Sequence, residues 1–283
     1  MNTQTISQET LEQFRCHLQK KGLSENTILV YTPSLRQYLS LFPDFGAENL
    51  QAYRQFLLSH YQINTVNTKI HGINSYLHSQ ETASSPHLLT PWKIPPIRTQ
   101  TPSFLDNVIS RQDYELLKQS LKRDRNMFWY FVVRFLAATG ARVSELVQIR
   151  LEYLKPGYMD LYSKGGKVRR IYFPRSLCRE ALSWFQQQGI ESGFIFLSRL
   201  KKPISTREIR RKLKQLAYQY GINPDTMYPH SFRHLFARNF LEQFDDIALL
   251  ADLLGHESID TTRIYLTRSN LEQKELIDRI ITW

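Results

Sequence analysis

Residues 159–174 read MDLYSKGGKVRRIYFP, and this stretch decides what kind of fold the chain can adopt. Apolar and polar residues alternate on either side of Lys164-Gly165-Gly166-Lys167, the pattern of two short strands joined by a tight turn. Around it the apolar period is helical. Helices are expected from a cap at Ser110 through Leu121 and from Met127 to Ala138. After the hairpin they are expected from about Arg175 to Gln188, Thr206 to Tyr220, Ser231 to Glu242, Asp246 to Leu254 and Leu271 to Ile281. Residues 104–283 thus read as one α-rich domain interrupted by a hairpin.

Upstream, residues 7–79 are helical throughout. Leu11, Phe14 and Leu18 recur at turn spacing, as do Ile28, Tyr31 and Leu35. Gly22 with Ser24 closes one helix and caps the next, Pro43-Asp44-Phe45-Gly46 marks a second boundary, and Asn64-Thr65 opens a last helix toward Leu77. About four helices result, a small all-α domain over 1–80. Between the two helical parts, residues 81–103 hold Pro86, Pro91, Pro95, Pro96 and Pro102 with neither period, and read as an interdomain linker.

A chain of 283 residues has room for two domains with separate cores. Lys and Arg outnumber Asp and Glu by 37 to 26, a formal charge of +11, which suits a partner rich in phosphate. Only Cys16 and Cys178 are present, far apart, so neither a disulfide framework nor a thiolate zinc site is supported and a reduced cytoplasm is expected. No basic start is followed by an apolar run, and no apolar stretch is long enough to span a bilayer; neither export nor a membrane partner is expected.

Four short motifs carry the chemistry. They are TGARVSEL at 139–146, the turn with Lys164, HSFRH at 230–234, and LGH at 254–256 followed nine residues later by Tyr265. Each alone is weak, since a lone Arg, Lys or Tyr is usually surface or core. Together they match one task. Attack on a phosphodiester needs cations on the non-bridging oxygens, a deprotonated nucleophile and a proton for the leaving oxygen. Arg142 and Arg233 suit the oxygens, because a guanidinium stays charged and binds phosphate through a planar fork. A metal pair at His230 and His234 is the competing reading. Against it, Arg233 lies between them, no adjacent Glu activates water and no third ligand is placed by spacing.

In order and spacing these residues resemble the tyrosine recombinase family of lambda-integrase type, whose signature is Arg, Lys, His-x-x-Arg, His or Trp, then Tyr. The resemblance covers nearly the whole chain. It implies a DNA breaking-rejoining fold, mainly α, with an N-terminal four-helix SAM-like core-binding domain and a C-terminal α-rich catalytic domain carrying a small hairpin. It further implies that Tyr265 attacks the scissile phosphate to give a 3′-phosphotyrosine, with Lys164 as general acid for the leaving 5′ oxygen. His230 would accept the tyrosine proton, His256 would donate a hydrogen bond to a non-bridging oxygen, and Glu145 would steady Arg142. An ordinary tyrosine pKa of about 10 makes activation necessary. No cofactor or metal is needed, because bond energy is held in the phosphotyrosine.

DNA contacts are expected on the densest basic helix, where Arg207, Arg210, Arg211 and Lys214 share a face, and on Arg199, Lys201 and Lys202 before it. By resemblance that helix enters the major groove. In the N-terminal domain, Thr65, Asn67, Thr68 and Lys69 are the expected groove contacts. The resemblance also implies a homo-tetramer on double-stranded DNA, coupled through a C-terminal helix over 271–283 and working through a Holliday junction. The expected function is site-specific recombination, resolving transposon cointegrates or replicon dimers in the manner of an Xer-like enzyme. A type IB topoisomerase-like enzyme and a non-catalytic DNA-binding accessory protein are the rivals.

Overall fold

The computed structural model describes residues 3–81, 93–98, 107–162, 168–256, 259–263, 265 and 278. The chain divides into two compact units, Met1–Thr101 and Pro102–Trp283.

The N-terminal unit is built from α1 (Thr3–Lys20), α2 (Glu25–Leu41), α3 (Ala47–His60) and α4 (Ile63–Glu81). Its boundaries follow the turn chemistry. Gly22 takes a left-handed φ of 66°, and the amides of Gly22 and Leu23 close back on Gln19 and Leu18, which ends α1. Ser24 Oγ then accepts from the Thr27 amide and starts α2. One face of each helix supplies the core, with Phe14, Leu18, Leu35, Tyr38, Leu50, Tyr53, Leu57, Val66, Ile70 and Ile73 all buried. Gly72 lets α4 approach α2 closely, since a Cβ there would lie 3.3 Å from the Tyr31 Cα.

Residues 93–98 lie inside the stretch expected to link the domains, yet they are docked on α4. Asn74 exchanges two hydrogen bonds with the backbone of Ile94, donating from Nδ2 and accepting at Oδ1, both at 2.9 Å. Asn67 does the same with Ile97 at 2.9 and 2.7 Å. Two asparagines seven residues apart share a helix face, so α4 holds the strip like a strand partner. Ile94 drops into the N-terminal core.

The C-terminal unit centres on α6 (Met127–Thr139), in which Phe131, Val132, Val133, Phe135 and Leu136 are all fully buried. Packed round it are α5 (Arg111–Arg123), α8 (Arg175–Gln187) and α10 (Pro229–Gln243), with α9 (Thr206–Tyr220) lying against α5 and α10. Side-chain caps start several of them: Ser110 accepts from Asp113, and Ser205 from Glu208. The hairpin is present as β1 (Tyr158–Tyr162) and β2 (Val168–Tyr172), antiparallel, with Met159 opposite Ile171 and Leu161 opposite Arg169. Three short elements carry the site, namely α7 (Val143–Leu146), α11 (Ile247–Leu254) and α12 (Asp260–Arg263). The helix expected over 271–283 lies outside the described residues, apart from Asp278. No described helix is long and apolar enough to cross a membrane.

Candidate active site

The site begins where α6 stops. Gly140 takes a left-handed φ of 60°, and a Cβ there would meet Phe236 at 2.6 Å and Leu254 at 2.9 Å, so glycine is required twice over. The chain turns, and Arg142 becomes the extended residue that precedes α7. Glu145 reaches back to it: Oε2 accepts from the Arg142 amide at 2.7 Å and Oε1 from Arg142 Nη1 at 2.9 Å. This buried carboxylate therefore holds both ends of Arg142.

A third cation, Arg169 on β2, shares that carboxylate, with Nη1 2.7 Å from Glu145 Oε1. Sequence reading did not single it out. Its Nε and Nη2 both donate to the Leu253 carbonyl, at 3.0 and 2.8 Å. The last carbonyls of a helix have no partner within it and carry the negative end of its dipole. At the end of α11 three successive ones are taken by three guanidiniums. Leu253 O receives Arg169, Leu254 O receives Arg233 Nη2 at 2.7 Å, and Gly255 O receives Arg142 Nη2 at 3.1 Å. Gly255 is the hinge of this arrangement: its φ is +63°, and an added Cβ would sit 2.2 Å from Arg169 Cδ.

Arg233 is 1% exposed and is the largest fully buried side chain described. Nη1 donates to Gly140 O and Nη2 to Leu254 O, both at 2.7 Å, while Nε is buried without a partner among the described residues. Burial and the nearby Arg142 and Arg169 bring its pKa down to about 10. Three guanidiniums around the single carboxylate Glu145 leave a surplus of positive charge, which is what an anion site requires.

Burial and, after it, that surplus act on the histidines. His256 is lowered to about 4 by burial and then by Arg233 and Arg142. His234 is lowered to about 4 by burial, then by His230 and Arg233. His230 is lowered by partial burial, Arg233 and Arg142, and also by Arg210 on α9. Near neutrality all three rings are uncharged.

Tyr265 packs, alongside Phe236, Phe240 and Leu241, on the small cluster of Ala237 from α10 and Leu250 and Leu254 from α11, its ring parallel to His256 at 6.4 Å. Burial raises its pKa, and Arg233 opposes that rise. Its hydroxyl lies 3.1 Å from His234 Nδ1. His230, expected to take the tyrosine proton, is thus not the histidine at the hydroxyl in the free chain. The two imidazoles are one turn apart on α10, with ring centres 5.5 Å apart, and Tyr265 meets the second. His234, which the sequence offered only as half of a disfavoured metal pair, is the one in contact.

A cleft of about 1210 Å³ opens over this frame, lined by Arg142 and His256, by the hairpin residues Tyr162, Val168, Arg169 and Tyr172, and by the carboxylates of Glu145, Asp160 and Asp252. Lys164 lies outside the described residues, but the strand ends that bracket it, Tyr162 and Val168, are in the cleft wall. Arg207, Arg210, Arg211 and Lys214 are exposed along α9, Lys214 pairing with Asp225 at 3.3 Å, and Arg199, Lys201 and Lys202 are exposed before it. Of the N-terminal set, Thr65 is exposed. Asn67 is occupied by the Ile97 backbone, Thr68 Oγ1 by the Asn64 carbonyl, and Lys69 Nζ by Gln37 Oε1 at 2.8 Å, over the Tyr61 ring. Three of the four expected groove contacts therefore have partners inside the unit.

Residues 107–272 match the phage integrase family. The tyrosine recombinase XerA of Pyrococcus furiosus is 29% identical over 99% of this chain and 96% of its own. The TnP I resolvase of Bacillus thuringiensis is 26% identical over 95% of this chain and 99% of its own. Among solved structures, a lambda integrase tetramer bound to a Holliday junction superposes with a TM-score of 0.72 at 16% identity, covering 93% of this chain and 78% of that one; this last likeness speaks for the fold.

Proposed function

Since the chain belongs to the phage integrase family, we propose that it is a tyrosine-type site-specific recombinase that cuts and rejoins double-stranded DNA through a 3′-phosphotyrosine at Tyr265. The observation that carries this reading is the frame at the end of α11, which holds Arg142 and Arg233 around a cation-rich site with His256 and Tyr265 beside them. The scissile phosphate is seated there. Arg142 and Arg233 neutralise its non-bridging oxygens, the buried Nε of Arg233 being a donor still to be satisfied, and His256 donates a further hydrogen bond.

Tyr265 Oη attacks phosphorus, an Oη–P bond forms and the P–O5′ bond breaks. The hydroxyl proton passes to the histidine pair of α10, His234 being in contact and His230 one turn away. Lys164 protonates the departing 5′ oxygen. Neutral imidazoles are the form needed to receive the proton, and burial first, with the neighbouring cations after it, holds them neutral. Rejoining is the reverse, with a 5′ hydroxyl attacking the phosphotyrosine, so no external energy source is consumed.

The basic face of α9 continues from the site, since Arg210 is close enough to His230 to lower its pKa. Arg207, Arg210, Arg211 and Lys214 therefore hold the same duplex whose phosphate is cut, with Arg199, Lys201 and Lys202 on its backbone. Thr65 is the N-terminal residue of the expected set with an exposed side chain. The active form is a homo-tetramer on two duplexes that passes through a Holliday junction, a reading supported by the fold shared with a lambda integrase in that state. Its biological role is resolution of cointegrates or replicon dimers, in keeping with the resolvase among its relatives.

The test is a nicked duplex carrying the site that the protein enriches from its own genomic DNA. The wild-type chain leaves a covalent protein–DNA band, and Tyr265→Phe binds the duplex but leaves none. Absence of the band from wild-type protein would overturn the enzymatic reading. Relaxation of a plasmid lacking the site would point instead to a topoisomerase.

A further inference from the structure

Thr262 has no part in the reading above, yet it touches the site at a decisive atom. Its side chain is fully buried, and its Oγ1 lies 2.7 Å from His256 Nδ1. A buried hydroxyl hydrogen needs an acceptor. Among the described residues, Nδ1 is the one polar atom within bonding distance of Oγ1. If Nδ1 carried the ring proton, the hydroxyl hydrogen would be left without an acceptor among the described residues. The contact is satisfied when Thr262 donates and Nδ1 accepts.

A neutral imidazole has one N–H, and the bond made by one nitrogen fixes where the proton sits. With Nδ1 accepting, Nε2 carries it and is a donor. The other tautomer would leave Nε2 with a lone pair, which cannot bind the oxygen of a phosphate. His256 lines the cleft beside Arg142.

We propose that Thr262 is a positioning residue that locks His256 in the Nε2–H tautomer, making it a hydrogen-bond donor to the scissile phosphate. The inference deepens the recombinase reading and rests on it for the identity of the acceptor. It also links two parts of the site. The amide of Tyr265 donates to the Thr262 carbonyl at 3.0 Å, so the nucleophile and the hydroxyl that sets the histidine ride on one turn. The phosphate cradle is complete only while the turn bearing Tyr265 is docked.

The test compares Thr262→Val, which keeps the shape and removes the hydroxyl, with Thr262→Ser, which keeps the hydroxyl. The first readout is the long-range ¹⁵N–¹H correlation spectrum of ¹⁵N-histidine-labelled full-length protein, with His256 assigned by its loss in His256→Gln. Wild type and Thr262→Ser show His256 as Nε2–H, and Thr262→Val shows a mixture or the other tautomer. The second is adduct formation on the nicked duplex, which falls about 100-fold in Thr262→Val, the effect of removing one oxyanion donor, and recovers to within about 3-fold in Thr262→Ser. A wild-type His256 in the Nδ1–H form, or an unaltered Nε2–H signal in a folded Thr262→Val, would overturn the inference. A wild-type chain with the Nε2–H signal but no adduct would overturn the recombinase reading and leave the tautomer lock standing.

Discussion

Arg169 shows how one buried cation can hold several active-site parts in register. Its guanidinium joins the shared carboxylate of Glu145, and so Arg142, to the Leu253 carbonyl at the end of α11. Arg169→Met would keep the length of the side chain while leaving the Leu253 carbonyl unbonded and removing one donor from Glu145. Leaving such groups unsatisfied costs about 1–3 kcal/mol, seen as a lower midpoint in urea. The larger effect falls on catalysis, because Arg142 would lose the fixed reference for its carboxylate. Displacing it by about 1 Å costs on the order of 100-fold in adduct formation. Duplex affinity should change little. Arg142, His230, Arg233, His256 and Tyr265 were legible as candidates because their types match phosphodiester chemistry. Arg169 was legible in principle, since period-two alternation puts it on the face of Ile171 and Phe173, where a charge is conspicuous. The roles of His234 and Thr262 depend on distances between segments far apart in sequence, and spacing alone does not contain them.

The elements show the same division between what local pattern dictates and what tertiary contact adds. α9 could be read to its ends because Ser205 caps it, Gly221 closes it and Ile209, Leu213 and Leu216 face the core. α7 and α12 are four residues each, too short to display a period, and they exist because the site holds them. The strip at 93–98 reads as linker because its prolines remove donors. It is ordered by two of the donors it keeps, the amides of Ile94 and Ile97, each matched to an asparagine on α4. Asn74→Ala would leave the Ile94 amide and carbonyl unpaired beside a buried side chain. The expected cost is about 1–3 kcal/mol, read in the full chain as faster hydrogen exchange at Ile94 and along α4, with adduct chemistry in the other unit retained. Unaltered protection at Ile94 would show that the clasp contributes nothing.

At the scale of the whole molecule, a chain with a formal charge of +11 concentrates part of that charge at one point, and the consequence appears in its response to pH. His234 and His256 are both lowered to about 4, burial first and neighbouring cations after. In the unfolded chain a histidine titrates near pH 6.5. Above that both states carry neutral rings and the contribution to stability is complete. As pH falls below about 6.5 the unfolded chain takes up protons that the folded chain refuses, so stability declines until about pH 4, where the folded rings also titrate. The slope is at most about 1.4 kcal/mol per pH unit for each histidine. Duplex binding has the opposite sign, because a phosphate beside the rings favours their protonated form and draws protons up on binding. Lowering pH from 7 to 5 should therefore reduce the midpoint of thermal unfolding of the free protein and tighten its hold on a duplex at fixed salt. The double variant His234→Gln, His256→Gln should flatten both trends. A wild-type midpoint independent of pH over that interval would mean that burial and the neighbouring cations do not hold the two rings neutral, and the account of the site as a preformed anion cradle would fail with it.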